Sequence, residues 1–246
     1  IVREIERRPL RFFMSALGIA MGVAIFVMGH MGDDSFGHLM GAVYPREHGE
    51  DLIVSLVRSD HERAVSELAH IPGVEYAEGE RIVPVRLRAG GRWRDMTIIG
   101  VPAHQELRHL LDSGITPVHP GSGLIVTAKL AEVLHLRTGD EVLADVLEGD
   151  WRTHRFVIDG TIREAFGLMG YIRADALAAA LGEEPRVSSI LLRVDPARAS
   201  AVRARLKELP AVLGVTSPRQ VIDNYRAQTG KSVVVMTLIL TLSAAA

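Results

Sequence analysis

The 246-residue chain has no cysteine, which excludes disulfide frameworks, thiolate metal sites and cysteine nucleophiles together. Lysine is almost missing. Lys129, Lys207 and Lys231 are the only three, and arginine carries the rest of the positive charge. A formal net charge of -2 provides no general attraction to nucleic acid, so no nucleic-acid partner is expected. Catalytic signatures are lacking as well. No H-E-x-x-H occurs. His104 and His109 lie five apart, which does not put two imidazoles on one helical face. His30 with His38, or His48 with His61, are the other pairs able to meet in space, and solvated or packed histidines are the commoner reading of all four. "PGSGL" and "LDSGI" fail the G-x-S-x-G spacing of a hydrolase elbow. No catalytic residue, cofactor-binding residue or metal ligand is expected in this chain, and it is read as a non-enzyme.

Acidic and basic residues other than histidine are also missing from Phe12 to Met31. At about 1.5 Å per residue that stretch measures roughly 30 Å as a helix, the thickness of a bilayer's hydrocarbon core, and it has no polar stripe. A transmembrane helix over 12–31 is expected. Arg3, Arg7, Arg8 and Arg11 precede it, and Asp33 and Asp34 follow. The positive-inside bias then places the N-terminus in the cytoplasm and the chain after Met31 outside. Residues 1–11 read as a short amphipathic arm on the inner surface of the lipid. Gly18 and Gly22 form a G-x-x-x-G pair, small residues that allow a partner helix to approach closely.

The last stretch, "RAQTGKSVVVMTLILTLSAAA", contains the letters TGKS. A phosphate-binding loop needs a glycine five positions before Gly230, where Tyr225 stands. Tyrosine cannot give the backbone geometry that cradles phosphate. Lys231 is read instead as an interfacial charge outside a second span, with 229–246 as its beginning. The chain is expected to be a piece of a longer protein.

Residues 32–228 read as one extracytoplasmic domain. "DLIVSLV" alternates as a strand. "DHERAVSELAHI" is helical, with Asp60 as the expected N-cap. "PGVEYAEGERIVPVRLR" and "RDMTIIGV" are strands joined at "GGRW". A similar strand–helix–strand unit recurs late in the chain as "VSSILLRV", "DPARASAVRARLKEL" with Asp195 as N-cap and Pro196 at its first position, and "PAVLGVTSP". The middle of the chain runs strand, short helix capped by Thr127, a Gly139-Asp140 turn, a long β-hairpin with its tip at 148–150, and a helix ending on Gly182. The expected class is α+β: two βαβ-like units, 48–104 and 187–225, form one subdomain, with a mostly β subdomain, 105–186, inserted between them.

An arginine-rich arm, "LRFFMSALGIAMGVAIFVMG", a large outer domain containing "GLIVTAKLAEVLHLRTGDEV", and a return into a second span resemble permeases of the MacB/FtsX-like (type VII) ABC transporter group. The resemblance covers essentially the whole chain, and the order and spacing of the elements carry it more than any single motif. It implies a multi-pass inner-membrane protein with a porter-like subdomain. The implied partners are a separate or fused cytoplasmic ATPase that holds ATP and magnesium, a related or identical permease as dimer mate, a periplasmic adaptor or lipoprotein, and membrane lipid. It further implies mechanotransmission that drives export or lipoprotein release. A two-span sensor with a ligand-binding outer domain is the alternative reading.

Overall fold

The computed structural model describes residues 48–220 apart from 150, 165 and 166, together with ten positions between 13 and 31. The chain divides into two units, residues 1–42 with 220–246, and residues 43–219. In the first unit the described positions are helical, and Phe13, Leu17, Met21, Val23, Val27 and Met31 are exposed. Among the described residues no helix is long and apolar enough to cross a membrane. Most of the expected span over 12–31, and all of the one from 229, lie outside the described residues.

The second unit is mixed α+β. Its elements are β1 (Leu52–His61), α1 (Arg63–Ala69), β2 (Val74–Ala89), β3 (Arg92–Val101), β4 (Leu111–Asp112), β5 (Thr116–Pro117), β6 (Leu124–Thr127), α2 (Ala128–Leu134), β7 (Glu141–Val146), β8 (Thr153–Ile162), β9 (Met169–Arg173), α3 (Ala174–Leu181), β10 (Arg186–Val194), α4 (Ala199–Lys207) and β11 (Val212–Thr216). Nine strands join in the order β11-β1-β10-β2-β3-β9-β6-β8-β7, and β7 pairs again with β2. That last pairing closes β2, β3, β9, β6, β8 and β7 into a barrel and leaves β11, β1, β10 and the start of β2 as an open antiparallel sheet.

Strand alternation decides which side chains fill each half. In the open sheet, Leu52, Val54 and Leu56 of β1 and Ile190, Leu192 and Val194 of β10 point to one face. Leu68 of α1 and Val202 and Leu206 of α4 cover that face. In the barrel, Val83, Val85 and Leu87 face inward opposite Ile98 and Met96, in the register Val83–Ile98 and Val85–Met96. Leu124, Val126, Val142, Ala144, Phe156 and Ile158 complete the interior, so the barrel is a packed core and not a channel. Each of these side chains larger than alanine contributes about 1.5–3 kcal/mol on full burial. Leu130 and Leu134 of α2 and Leu177 of α3 join the same core.

β2 serves both halves. Its residues 74–80 pair with β10 and its residues 81–89 with β3. At the crossing, the Ile82 amide donates to Ser188 Oγ at 2.8 Å, and the same hydroxyl donates to the Ile82 carbonyl at 3.3 Å. A serine side chain thus takes over the ladder where the strand leaves the sheet.

Two expected caps fall elsewhere. Asp60 lies within β1, and its carboxylate accepts from the His61 amide at 2.7 Å. The first helix starts at Arg63, with Glu62 at the cap position making no side-chain bond. Pairing of β1 with β10 carries the strand through Asp60 and His61 and delays the helix. Asp195 holds a tight turn by accepting from the Ala197 amide, and α4 begins at Ala199, past Pro196. α2 follows Thr127 as expected, but the Thr127 side chain makes no capping bond; its Oγ1 accepts from the Met169 amide of β9 at 3.4 Å instead. α3 ends at Gly182, whose φ of 67° is the left-handed value a C-cap glycine supplies.

Candidate functional site

The described part of the second unit runs from His48 to Arg219, and residues near these two limits lie at the same side of the sheet. Asp51, just before β1, pairs with Arg219, just after β11, at 3.2 Å, and its other oxygen accepts from the Val194 amide at 3.1 Å. Gly49 donates to the Leu107 carbonyl at 2.6 Å, and Asp51 to the Leu192 carbonyl at 2.8 Å. The entering segment is therefore bonded both to β10 and to the loop that follows β3.

Under this segment lies a buried ionic cluster. Glu50, Glu78 and Glu80 are 4%, 4% and 1% exposed. Glu78 and Glu80 alternate with Ala77 and Gly79, and a Cβ at Gly79 would lie 2.8 Å from Val65 of α1. The two glutamates therefore occupy the sheet face away from the helices, where the 106–108 segment covers them. Glu50 Oε1 lies 2.7 Å from His48 Nδ1 and 3.8 Å from Arg108 Nη2. Arg108 Nε lies 3.0 Å from Glu80 Oε1, within ion-pair range but off the hydrogen-bond direction. Glu78 Oε2 accepts from the amides of Glu106 and Leu107 at 2.8 and 3.0 Å.

Three carboxylates thus share one guanidinium and one imidazole. Burial pushes the Glu78 carboxyl above the ordinary glutamate value, against the bonds from Glu106 and Leu107 and the charge of Arg108. Burial does the same to Glu80, where Arg108 opposes it and Glu50 and Glu78 reinforce it. Glu50 Oε2, Glu78 Oε1 and Glu80 Oε2 accept no hydrogen bond among the described residues. On the neighbouring outer face of the barrel, burial, then Glu164, raises the Tyr171 hydroxyl, which donates to Glu164 at 3.0 Å.

A second junction sits where β2 turns into the barrel. By register, Arg81 continues the inward row of Val83, Val85 and Leu87, and it is 6% exposed. It pairs with Glu148 of the β7–β8 loop and, at 3.0 Å, with Glu183 beyond α3. A cleft of about 730 Å³ opens beside it, lined in part by Arg58, Arg152, Arg186 and Leu181.

Of the helix-packing and interface residues expected from the sequence, Gly18 and Gly22 are among the described residues. Gly18 is exposed, and a Cβ added there meets nothing within 4 Å among the described residues; Gly22 is half-buried. Arg3, Arg7, Arg8, Arg11 and Lys231 lie outside the described residues. His48 and His61 go to different partners, Glu50 and Glu184. Sequence reasoning missed Glu50, Glu78, Glu80, Arg81 and Arg108. The one available signal was "VEYAEGERIV", a strand with glutamates on alternate positions running directly into an apolar stretch.

No family model and no characterised protein sequence matches this chain. Among solved structures it is similar to the extracellular domain of the noncanonic ABC-type transporter YknZ from Gram-positive bacteria, at 16% identity over 66% of this chain and 98% of that one, with a TM-score of 0.43. It is also similar to the periplasmic region of MacB from Actinobacillus actinomycetemcomitans, at 8% identity over 76% of this chain and 97% of that one, with a TM-score of 0.46. The second of these carries the name of the group that the sequence resembles.

Proposed function

We propose that this chain is part of a permease subunit of a type VII ABC transporter, whose outer domain relays motion from the membrane to its barrel. ATP hydrolysis is assigned to a partner ATPase subunit or domain, and the relayed motion to substrate export or lipoprotein release. The order of arm, apolar run, outer domain and returning apolar run supports the membrane placement.

One observation carries the relay: the Asp51–Arg219 pair holds the two ends of the outer domain side by side, on neighbouring strands of one sheet. A displacement applied at those ends reaches β10 and then β2 through continuous strand pairing. β2 runs unbroken into the barrel, so no flexible loop interrupts the path. The ionic cluster of Glu50, Glu80 and Arg108 adds a second tie from the entering segment to β2.

These 246 residues have no cysteine, so Ser122→Cys in the full-length protein, with any cysteine outside them replaced by serine, gives a single label at an exposed position. In outer-permeabilised cells it should react with a membrane-impermeant thiol reagent, and an ATPase should co-purify with the protein. Labelling only after the inner membrane is broken would overturn the orientation. Co-purification of a kinase or cyclase module in place of an ATPase would favour the two-span sensor, a reading for which the arginine-lined cleft beside Arg81 is the supporting observation.

A further inference from the structure

We propose that the cleft between the open sheet and the barrel binds a carboxylate-rich polypeptide segment of a partner, held by Arg58 and Arg186. The inference concerns the folded outer domain and does not depend on the permease reading.

The first argument is charge. Arg81 is matched by Glu148 and Glu183, whereas no ion pair joins Arg58 or Arg186 to another described residue. Both are exposed, and both line the cleft of about 730 Å³. A guanidinium offers a planar fork that takes a carboxylate in two parallel hydrogen bonds. Two such forks in one cleft, in a chain of net charge -2, form a local positive site that composition does not reveal.

The second argument is backbone shape. The register of β1 on β10 passes from Ser55–Ser189 to Asp60–Val187, so β1 carries surplus residues across that gap. On its other side the strand stays attached, with the Val57 amide donating to the Ala211 carbonyl at 2.9 Å. Bulges of this kind re-aim side chains. Here the bulge carries Val57 and Arg58 to the wall of the cleft.

The third argument separates a polypeptide from a small anion. Val57 is 55% exposed beside Arg58, and Trp151 is 68% exposed next to the cleft residue Arg152. Apolar area next to guanidinium groups suits side chains of mixed character and not a bare ion. Glu148 and Glu183 on the same wall repel a doubly charged phosphate more strongly than a singly charged carboxylate. Across the start of β10, Asp60, Glu62, Glu67 and Glu184 line a separate cleft. An acidic segment is repelled there and drawn to the arginine side.

The test uses full-length protein in a neutral detergent and a fluorescein-labelled polyglutamate peptide, read by anisotropy at low salt. The wild type should bind, binding should weaken as salt rises, and Arg58→Glu with Arg186→Glu should weaken it by about tenfold or more. Arg155→Glu, on the β8 residue paired with Glu141, should leave it unchanged. If the double reversal lowers the melting temperature, Arg58→Gln with Arg186→Gln takes its place and should still weaken binding by about threefold or more. No binding by the wild type, or equal binding by the substituted protein, overturns the proposal. Displacement of the peptide by an equal concentration of inorganic pyrophosphate overturns the polypeptide assignment in favour of a phosphate ligand.

Discussion

Asp51, just before the first strand of the sheet, pairs with Arg219, just after the last, at 3.2 Å. The Arg219 side chain is 76% exposed, so the pair itself contributes little, about 0–1 kcal/mol. The second oxygen of Asp51 does more, because it satisfies the amide of buried Val194. Asp51→Ala should therefore cost about 1–2 kcal/mol, and Arg219→Ala less than about 1 kcal/mol, in denaturant unfolding of the full-length protein. The opposite order would mean that the ion pair, and not the backbone bond, fixes the ends.

Arg81 bonds two elements of the barrel half from a strand it shares with the open sheet. Its guanidinium is 7% exposed, while Glu148 and Glu183 are 38% and 27% exposed. Arg81→Met should destabilise by about 2–3 kcal/mol, below the usual cost of breaking a fully buried pair because both carboxylates can rehydrate. Glu183→Gln alone should cost less than half as much. Equal losses would indicate that Arg81 acts through Glu183 only.

The buried glutamates give the domain a pH dependence of unusual sign. Burial raises the carboxyls of Glu78 and Glu80 in the folded state, so folded protein holds protons that unfolded protein has released. Their contribution to stability is complete below the unfolded value and is lost as pH rises through the raised one. Asp95, Asp112, Glu132 and Asp175 are shifted down by Arg86, Arg163, Lys129 and Arg173, and act in the opposite sense in a more acidic window. Glu80→Gln should thus melt closer to the wild type at about pH 5 than at about pH 7.5, where the variant gains relative stability. A constant difference across that range would show that Glu80 does not change protonation between those pH values on folding.

A Cβ at Gly18 meets nothing within 4 Å among the described residues, so a larger side chain there has room in this unit as described. Gly18→Leu with Gly22→Leu should reduce crosslinking between copies of the full-length protein while leaving the melting of the second unit unchanged. Unchanged crosslinking would remove the helix-packing role of this pair.

Much of the secondary structure was legible because its signals are local. "LIVSLV" alternates because successive side chains leave a strand on opposite faces, and "ADALAAALG" announces its own end because glycine enters the left-handed region easily. The caps at Asp60 and Asp195 misled because a capping side chain also suits a strand end or a turn, and long-range pairing of β1 chose between them. The junction residues were the least legible. Alternation in "VEYAEGERIV" tells that Glu78 and Glu80 share a face but not whether that face is covered.

Composition and pattern determined the α+β class, the order of the elements and the absence of cysteine chemistry. Tertiary structure decided that β2 belongs to two halves, that β7 closes the barrel against it, and that Glu50, Glu78 and Glu80 are buried with Arg108. Each of these depends on residues far apart in the chain. Periodicity is fixed within a few residues by backbone geometry, whereas burial of a charge is fixed by whichever distant segment comes to lie over it.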